Sequence, residues 1–178
     1  DTPAALVSCM WANNETGAIQ PISDVVSAAA GQATPVHIDA VQAVGHIPVS
    51  FAQSGATTLA ASAHKFGGPR GTGLLLAARS PAPTGVLFGG GQERGIRPGT
   101  ADVAGAVGTA AALKEAINEM DAEMQRVAAL RDQLRAGIIS QVDDVIVHTP
   151  AEALPGHLHL SFPGAEGDSL IMLLDSLG

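Results

Sequence analysis

The chain has 178 residues, room for one medium domain or one domain and part of another. Hydrophobic residues make up 46% and charged residues 15%, which excludes a disordered chain and points to a folded core. The net charge of −8 excludes the basic face that nucleic-acid binding needs, and no apolar run is long enough to span a membrane. A single cysteine, Cys9, excludes an internal disulfide and fits a reducing compartment, so a cytoplasmic protein is expected. With aromatics at 3% and no Tyr, the core must be built from small aliphatic side chains.

The start, Asp1-Thr2-Pro3, reads as neither a signal peptide nor an initiator methionine, and the ends read as those of a fragment. Ala4 to Trp11 is a short apolar run, expected as a buried strand. Asn13-Asn14-Glu15-Thr16-Gly17 is loop chemistry. Pro21 to Ala30 reads as a helix, with Pro at its start and Gly31 just past its end. Val36 to Asp39 is a second strand ending in an acid, and Ala40 to Val44 is expected to open a short helix. Thr57 to Ser62 is a third strand that runs into Ala63-His64-Lys65. Gly67 to Gly73 is a Gly-dominated turn, and Leu74 to Ala78 is a fourth strand paired back on the third.

Gly89 to Thr100 is a long loop carrying Arg94 and Arg97. Ala101 to about Ser140 is rich in helix formers and is expected to break between Asn118 and Ala122. Val145 to Val147 and Leu158 to Phe162 read as strands, and Asp168 to Leu177 as a helix. Alternating strands and helices through the first part predict an α/β layered sheet, followed by a smaller α+β unit. The expected division is 1–121 and 122–178.

Three places could carry chemistry. Asp39 stands at the carboxyl end of a strand, where open α/β sheets hold ligands. A carboxylate there needs a partner, and a protonated heteroaromatic nitrogen is a good one. Gln42 lies three residues on and would share the pocket if the segment were helical. Asp39 alone reads equally well as a helix cap. Lys65 follows an apolar strand, and a partly desolvated lysine can form a Schiff base. Ser62 and His64 flank it with donors suited to a phosphate. A lone turn lysine is usually just solvated, but so many glycines after it let backbone approach closely. The loop from Gly89 to Thr100 could close over an anion or form a subunit contact. The histidines have no metal-ligand spacing with Cys9 or with one another, so no metal is expected. His157 and His159 are expected on one face of a strand, and Cys9 reads as a core thiol.

Taken in order, four motifs resemble one family. They are Asn13-Asn14-Glu15-Thr16-Gly17, His37-Ile38-Asp39-Ala40-Val41-Gln42, Ser62-Ala63-His64-Lys65-Phe66-Gly67-Gly68-Pro69-Arg70-Gly71, and Gly89 to Thr100. Together they resemble the cysteine desulfurases of the class V aminotransferase group, which are fold-type I pyridoxal-phosphate (PLP) enzymes. The tail from Pro163 to Leu170 is similar to the family's small domain.

The resemblance implies a partial large-domain sheet with helices, plus part of a small α+β domain. It implies pyridoxal 5'-phosphate as cofactor, with Lys65 as the Schiff-base lysine that also moves the substrate's Cα proton. It implies that Asp39 pairs with the pyridinium nitrogen, Gln42 and Asn14 lie near the ring oxygen, and Ser62 and His64 bind the phosphate. Thr100 would reach the phosphate of the other subunit, which implies a homodimer. The implied substrate is L-cysteine, converted to L-alanine while sulfur passes to a protein persulfide. That sulfur feeds iron–sulfur cluster assembly or thiolation, through a sulfur-acceptor scaffold protein.

Three departures bear on activity. The family's persulfide cysteine and its substrate-carboxylate arginine are expected beyond Gly178. Its amino-terminal phosphate turn and ring-stacking histidine are expected before Asp1. The chain by itself is therefore expected to be inactive, with the parent protein as the desulfurase. A selenocysteine lyase or other class V relative, and a binding or dimerisation fragment, are the alternative readings. Ala63 and Pro98 stand where the family often has glycine and serine.

Overall fold

The structure, a computed structural model, describes residues 4–178; Asp1 to Pro3, read above only as an atypical start, lie outside them. Four strands form one sheet in chain order: β1 (Val7–Met10), β2 (Val36–Asp39), β3 (Thr58–Ser62) and β4 (Gly73–Ala77). β1, β2 and β3 run parallel, and β4 returns antiparallel to β3, with Ser62 opposite Gly73. Register sets Met10 beside Asp39 and Asp39 beside Ala60, so the carboxyl ends of three strands meet at one edge.

Alternation in β2 and β3 decides what is buried. Val36, Ile38, Leu59 and Ala61 face inward while His37, Asp39, Thr58 and Ser62 are half-buried. The core gathers Ile22 and Ala29 of helix α1 (Ile22–Ala30) with Val36, Ile38, Ala40, Ala43 and Leu59. These are the small aliphatics that the composition requires. Fully burying a side chain such as Ile38 or Leu59 stabilises by about 1.5–3 kcal/mol.

Two helical expectations need correction. Ala40 to Val44 forms successive hydrogen-bonded turns, with Val44 N donating to Ala40 O at 3.0 Å, and no helix. Gly45 at φ +85° leaves the helical conformation, so the next turn, closed by His46 N and Ile47 N on Ala43 O, does not continue a helix. A short helix, α2 (Phe51–Ser54), forms further on instead, where the Ser50 hydroxyl accepts from Gln53 N. Helix α3 (Val103–Gln141) then runs without the expected break at Asn118–Ala122. No Gly or Pro occurs between Thr109 and Ala136, so nothing stops propagation. Asp102 caps its start by accepting from Gly105 N at 2.9 Å.

The first turns of α3 pack on the loop that follows β3. Thr109 Oγ1 donates to Thr72 Oγ1 at 3.3 Å, and Gly108 leaves room for Pro69. Beyond α3, β5 (Ile146–Val147) pairs with β6 (Leu160–Ser161) antiparallel, both shorter than the sequence predicts. Helix α4 (Gly167–Leu177) closes the described residues, and its Ile171, Met172, Leu173 and Leu174 are exposed. No helix among the described residues is long and apolar enough to cross a membrane.

Candidate functional site

At the carboxyl end of β3 the chain tightens into a 3-10 turn, Ala63–Phe66. Ala63 and Phe66 turn inward as anchors, while His64 and Lys65 are left exposed. Gly67 then takes a left-handed conformation, φ +83°, and turns the chain toward β4. The Ser62 hydroxyl and His64 Nδ1 lie 2.8 Å apart, one donating to the other according to the imidazole tautomer. Among the described residues Lys65 makes no salt bridge and no side-chain hydrogen bond.

One strand away, Asp39 ends β2. Its Oδ1 accepts from Val41 N at 2.9 Å, an Asx turn that holds the carboxylate at the strand end. The second carboxylate oxygen has no hydrogen bond among the described residues. Gln42 is half-buried on the turn that follows.

Beyond β1, the Asn13 side chain organises the next turn. Its Oδ1 accepts from Glu15 N at 3.0 Å and from Thr16 N at 2.8 Å. Asn14 is thereby presented at an exposed tip. Asn14, Asp39 and the Ser62–Lys65 run thus follow β1, β2 and β3 at the same sheet edge. Thr100 is exposed two residues before the Asp102 cap of α3 and makes none of these hydrogen bonds. Its loop contains an exposed 3-10 turn, Gln92–Gly95, that carries Arg94.

The sequence reading missed the contribution of distant histidines. A cavity of about 420 Å³ opens beside Lys65, between Gly45, His46 and Phe66 on one side and Leu154 to His157 on another. Glu119 and Glu123 of α3 complete its wall. Nδ1 of His46 and Nδ1 of His157 are buried without a hydrogen-bond partner among the described residues. Burial lowers the affinity of the His157 imidazole for a proton, and the nearby His46 and Lys65 add to this. The Asn14 backbone carbonyl works the other way. His157 and His159 do not share a strand face: both precede β6, and the His159 ring instead lies against His148, centroids 5.1 Å apart. Cys9 is half-buried in β1, where burial raises its thiol pKa.

These side chains form a donor set for a small planar anion beside a free amine. The aminotransferase class-V family model matches residues 1–178. The chain belongs to the class V aminotransferase family. It is 46% identical over 176 residues to an IscS-like cysteine desulfurase of Mycobacterium tuberculosis, covering 98% of this chain and 45% of that protein. It is 39% identical over 175 residues to the cysteine desulfurase NifS of Azotobacter vinelandii, covering 98% and 44%. Among solved structures, a NifS-like protein superposes with a TM-score of 0.92 at 40% identity, over 97% of this chain and 48% of that one. The chain therefore spans about half the length of the curated relatives it matches. Both sequence and fold agree with the fold-type I architecture that the motifs imply.

The donor set also fits the cofactor of that family. A phosphate needs concentrated hydrogen-bond donors, and the Ser62 hydroxyl and His64 imidazole, paired with each other here, are groups that can turn to donate to one. A pyridinium nitrogen needs a carboxylate, and Asp39 has an oxygen not engaged by Val41. An aldehyde needs a primary amine, and Lys65, next to His64 in the chain, is exposed.

Proposed function

We propose that this chain is part of a PLP-dependent cysteine desulfurase, a sulfurtransferase that takes sulfur from L-cysteine and leaves L-alanine. The observation that carries this reading is Ser62-Ala63-His64-Lys65 at the carboxyl end of β3, one strand from Asp39 at the end of β2. When bound, pyridoxal 5'-phosphate supplies an electron sink for charge developing at the substrate Cα.

In this reading Lys65 holds the cofactor through its Nζ and later moves the Cα proton. Asp39 keeps the ring nitrogen protonated, and its Asx turn fixes the carboxylate in advance. Gln42 and Asn14 orient the ring oxygen, with Asn14 also near the substrate carboxylate. Ser62 and His64 bind the phosphate, joined by Thr100 from the other subunit of a homodimer. Phe88, at 97% exposure, and the apolar face of α4 favour such association, because exposed apolar patches mark contact surfaces. Residues 1–121 belong to the later half of the large domain and 122–178 to the small domain, with α3 continuous across the boundary. The enzyme works in the cytoplasm. Its sulfur passes to a protein cysteine thiolate and on to an acceptor scaffold, for iron–sulfur cluster assembly or thiolation.

The test is a sulfide and alanine assay on the full-length gene product with L-cysteine and an excess of dithiol, which reduces the persulfide and frees its sulfur as sulfide. Equal release of both products, abolished by Lys65→Ala, supports the reading. Release that survives Lys65→Ala contradicts it.

A further inference from the structure

The segment Glu152–His157 and the turn Asn13–Ile19 are far apart in sequence and tightly joined in space. Ala18 bridges Ala153 antiparallel, Ile19 N donates to Glu152 O at 3.1 Å, and Leu154 N donates to Gly17 O at 2.9 Å. Leu154, fully buried, anchors the segment. The His157 side chain then closes the joint. Its Cβ and Cγ lie where a side chain at Gly17 would begin, so only glycine fits beneath the ring. Asn14 belongs to the same turn, three residues before Gly17.

We infer that His157 is a positioning residue for Asn14, holding the Asn14 turn against the sheet edge through its imidazole. This rests on the reading that Asn14 faces the cofactor. Steric fit sets the location, and the polar surroundings make the clamp sensitive to pH. His46 from the turn after β2 and Lys65 from the turn after β3 disfavour a charged His157. From α3, Glu119 and Glu123 line the same cavity, and Arg131 donates to the His157 carbonyl at 3.4 Å. The turn's own charged residue, Glu15, is exposed. Protonation puts a second N–H on an imidazole whose buried Nδ1 has no partner, so acid loosens the packing on Gly17.

The test is an NMR titration of the chain between about pH 5 and 8, paired with cofactor titration followed by absorbance. The Asn14 to Gly17 amides and the His157 ring are expected to share one midpoint below the ordinary histidine value of 6.5. His46→Ala moves that midpoint upward. His157→Gln, which still fills the space over Gly17 but carries no titrating group, retains cofactor affinity and abolishes the turn's titration. His157→Ala weakens cofactor binding about threefold to tenfold, the loss expected of one modest hydrogen bond. Turn amides that do not titrate with His157, or that titrate unchanged in His157→Gln, overturn the inference. A chain that binds no cofactor at all sinks the cofactor reading instead, and the NMR titration still decides the role of His157.

Discussion

Ser62 Oγ and His64 Nδ1 are 2.8 Å apart, one donating to the other, so the polar groups on either side of Ala63 converge next to Lys65 in the chain. Neither side chain is held by the core. Removing one therefore subtracts a hydrogen bond to the phosphate without opening a cavity. Ser62→Ala and His64→Ala are each expected to weaken cofactor binding about tenfold or more, since a bond to a charged group is worth about 1.5–3 kcal/mol. Thermal midpoints without cofactor should stay close to that of the unaltered chain. Cofactor titration followed by absorbance, beside a melting curve, checks both halves.

Asp39 has two tasks that substitutions can separate. One oxygen holds the Asx turn to Val41, and the charge serves the ring nitrogen. Asp39→Asn keeps an acceptor for Val41 N, so the fold should hold while the cofactor's visible spectrum changes. Asp39→Ala should change the spectrum and also cost about 1 kcal/mol of stability, the worth of the lost turn bond. If Asp39→Asn left the spectrum untouched, the carboxylate would be a turn-former only.

Gly45 lies under the anchor of the Lys65 turn. Its φ is +85°, and a Cβ there would come within 2.6 Å of Phe66 Cβ. Gly45→Ala should therefore destabilise by about 1–3 kcal/mol and displace Phe66, next to Lys65 in the chain. Weaker cofactor binding together with a lower melting temperature is the expected result. An unchanged melting temperature would contradict the contact.

Cys9 is placed to be inert. It is half-buried in β1, donates to Met10 O at 3.3 Å, and has a thiol pKa raised by burial. The thiolate is the reactive species, so alkylation at neutral pH should be slower in the folded chain than in the denatured one. After incubation with cofactor and L-cysteine, mass spectrometry should find no persulfide on Cys9. A persulfide there would overturn its assignment as a packing residue.

Much of this was legible from local pattern. The apolar runs read at Ala4–Trp11, Val36–Asp39 and Thr57–Ser62 became β1, β2 and β3, the first shortened to Val7–Met10, because short β-rich runs are decided locally. The glycines from 67 to 73 became the β3–β4 turn for the same reason. The break expected between Asn118 and Ala122 does not form, because without Gly or Pro the residues there continue the helix. The clasp between Glu152–His157 and Asn13–Ile19 had no local sign, since it depends on a contact across more than half the chain. Reading the histidines as metal ligands or as one strand face hid His157, whose side chain packs on a distant glycine.

The central claim is that Lys65 Nζ holds pyridoxal 5'-phosphate. The most direct measurement is an absorbance scan after adding cofactor, followed by borohydride reduction and peptide mass spectrometry. A visible band, with the reduced cofactor adduct on Lys65 and neither band nor adduct in Lys65→Ala, is the predicted result. The absence of any band in the unaltered chain, or an adduct on Lys114 that survives Lys65→Ala, would contradict it.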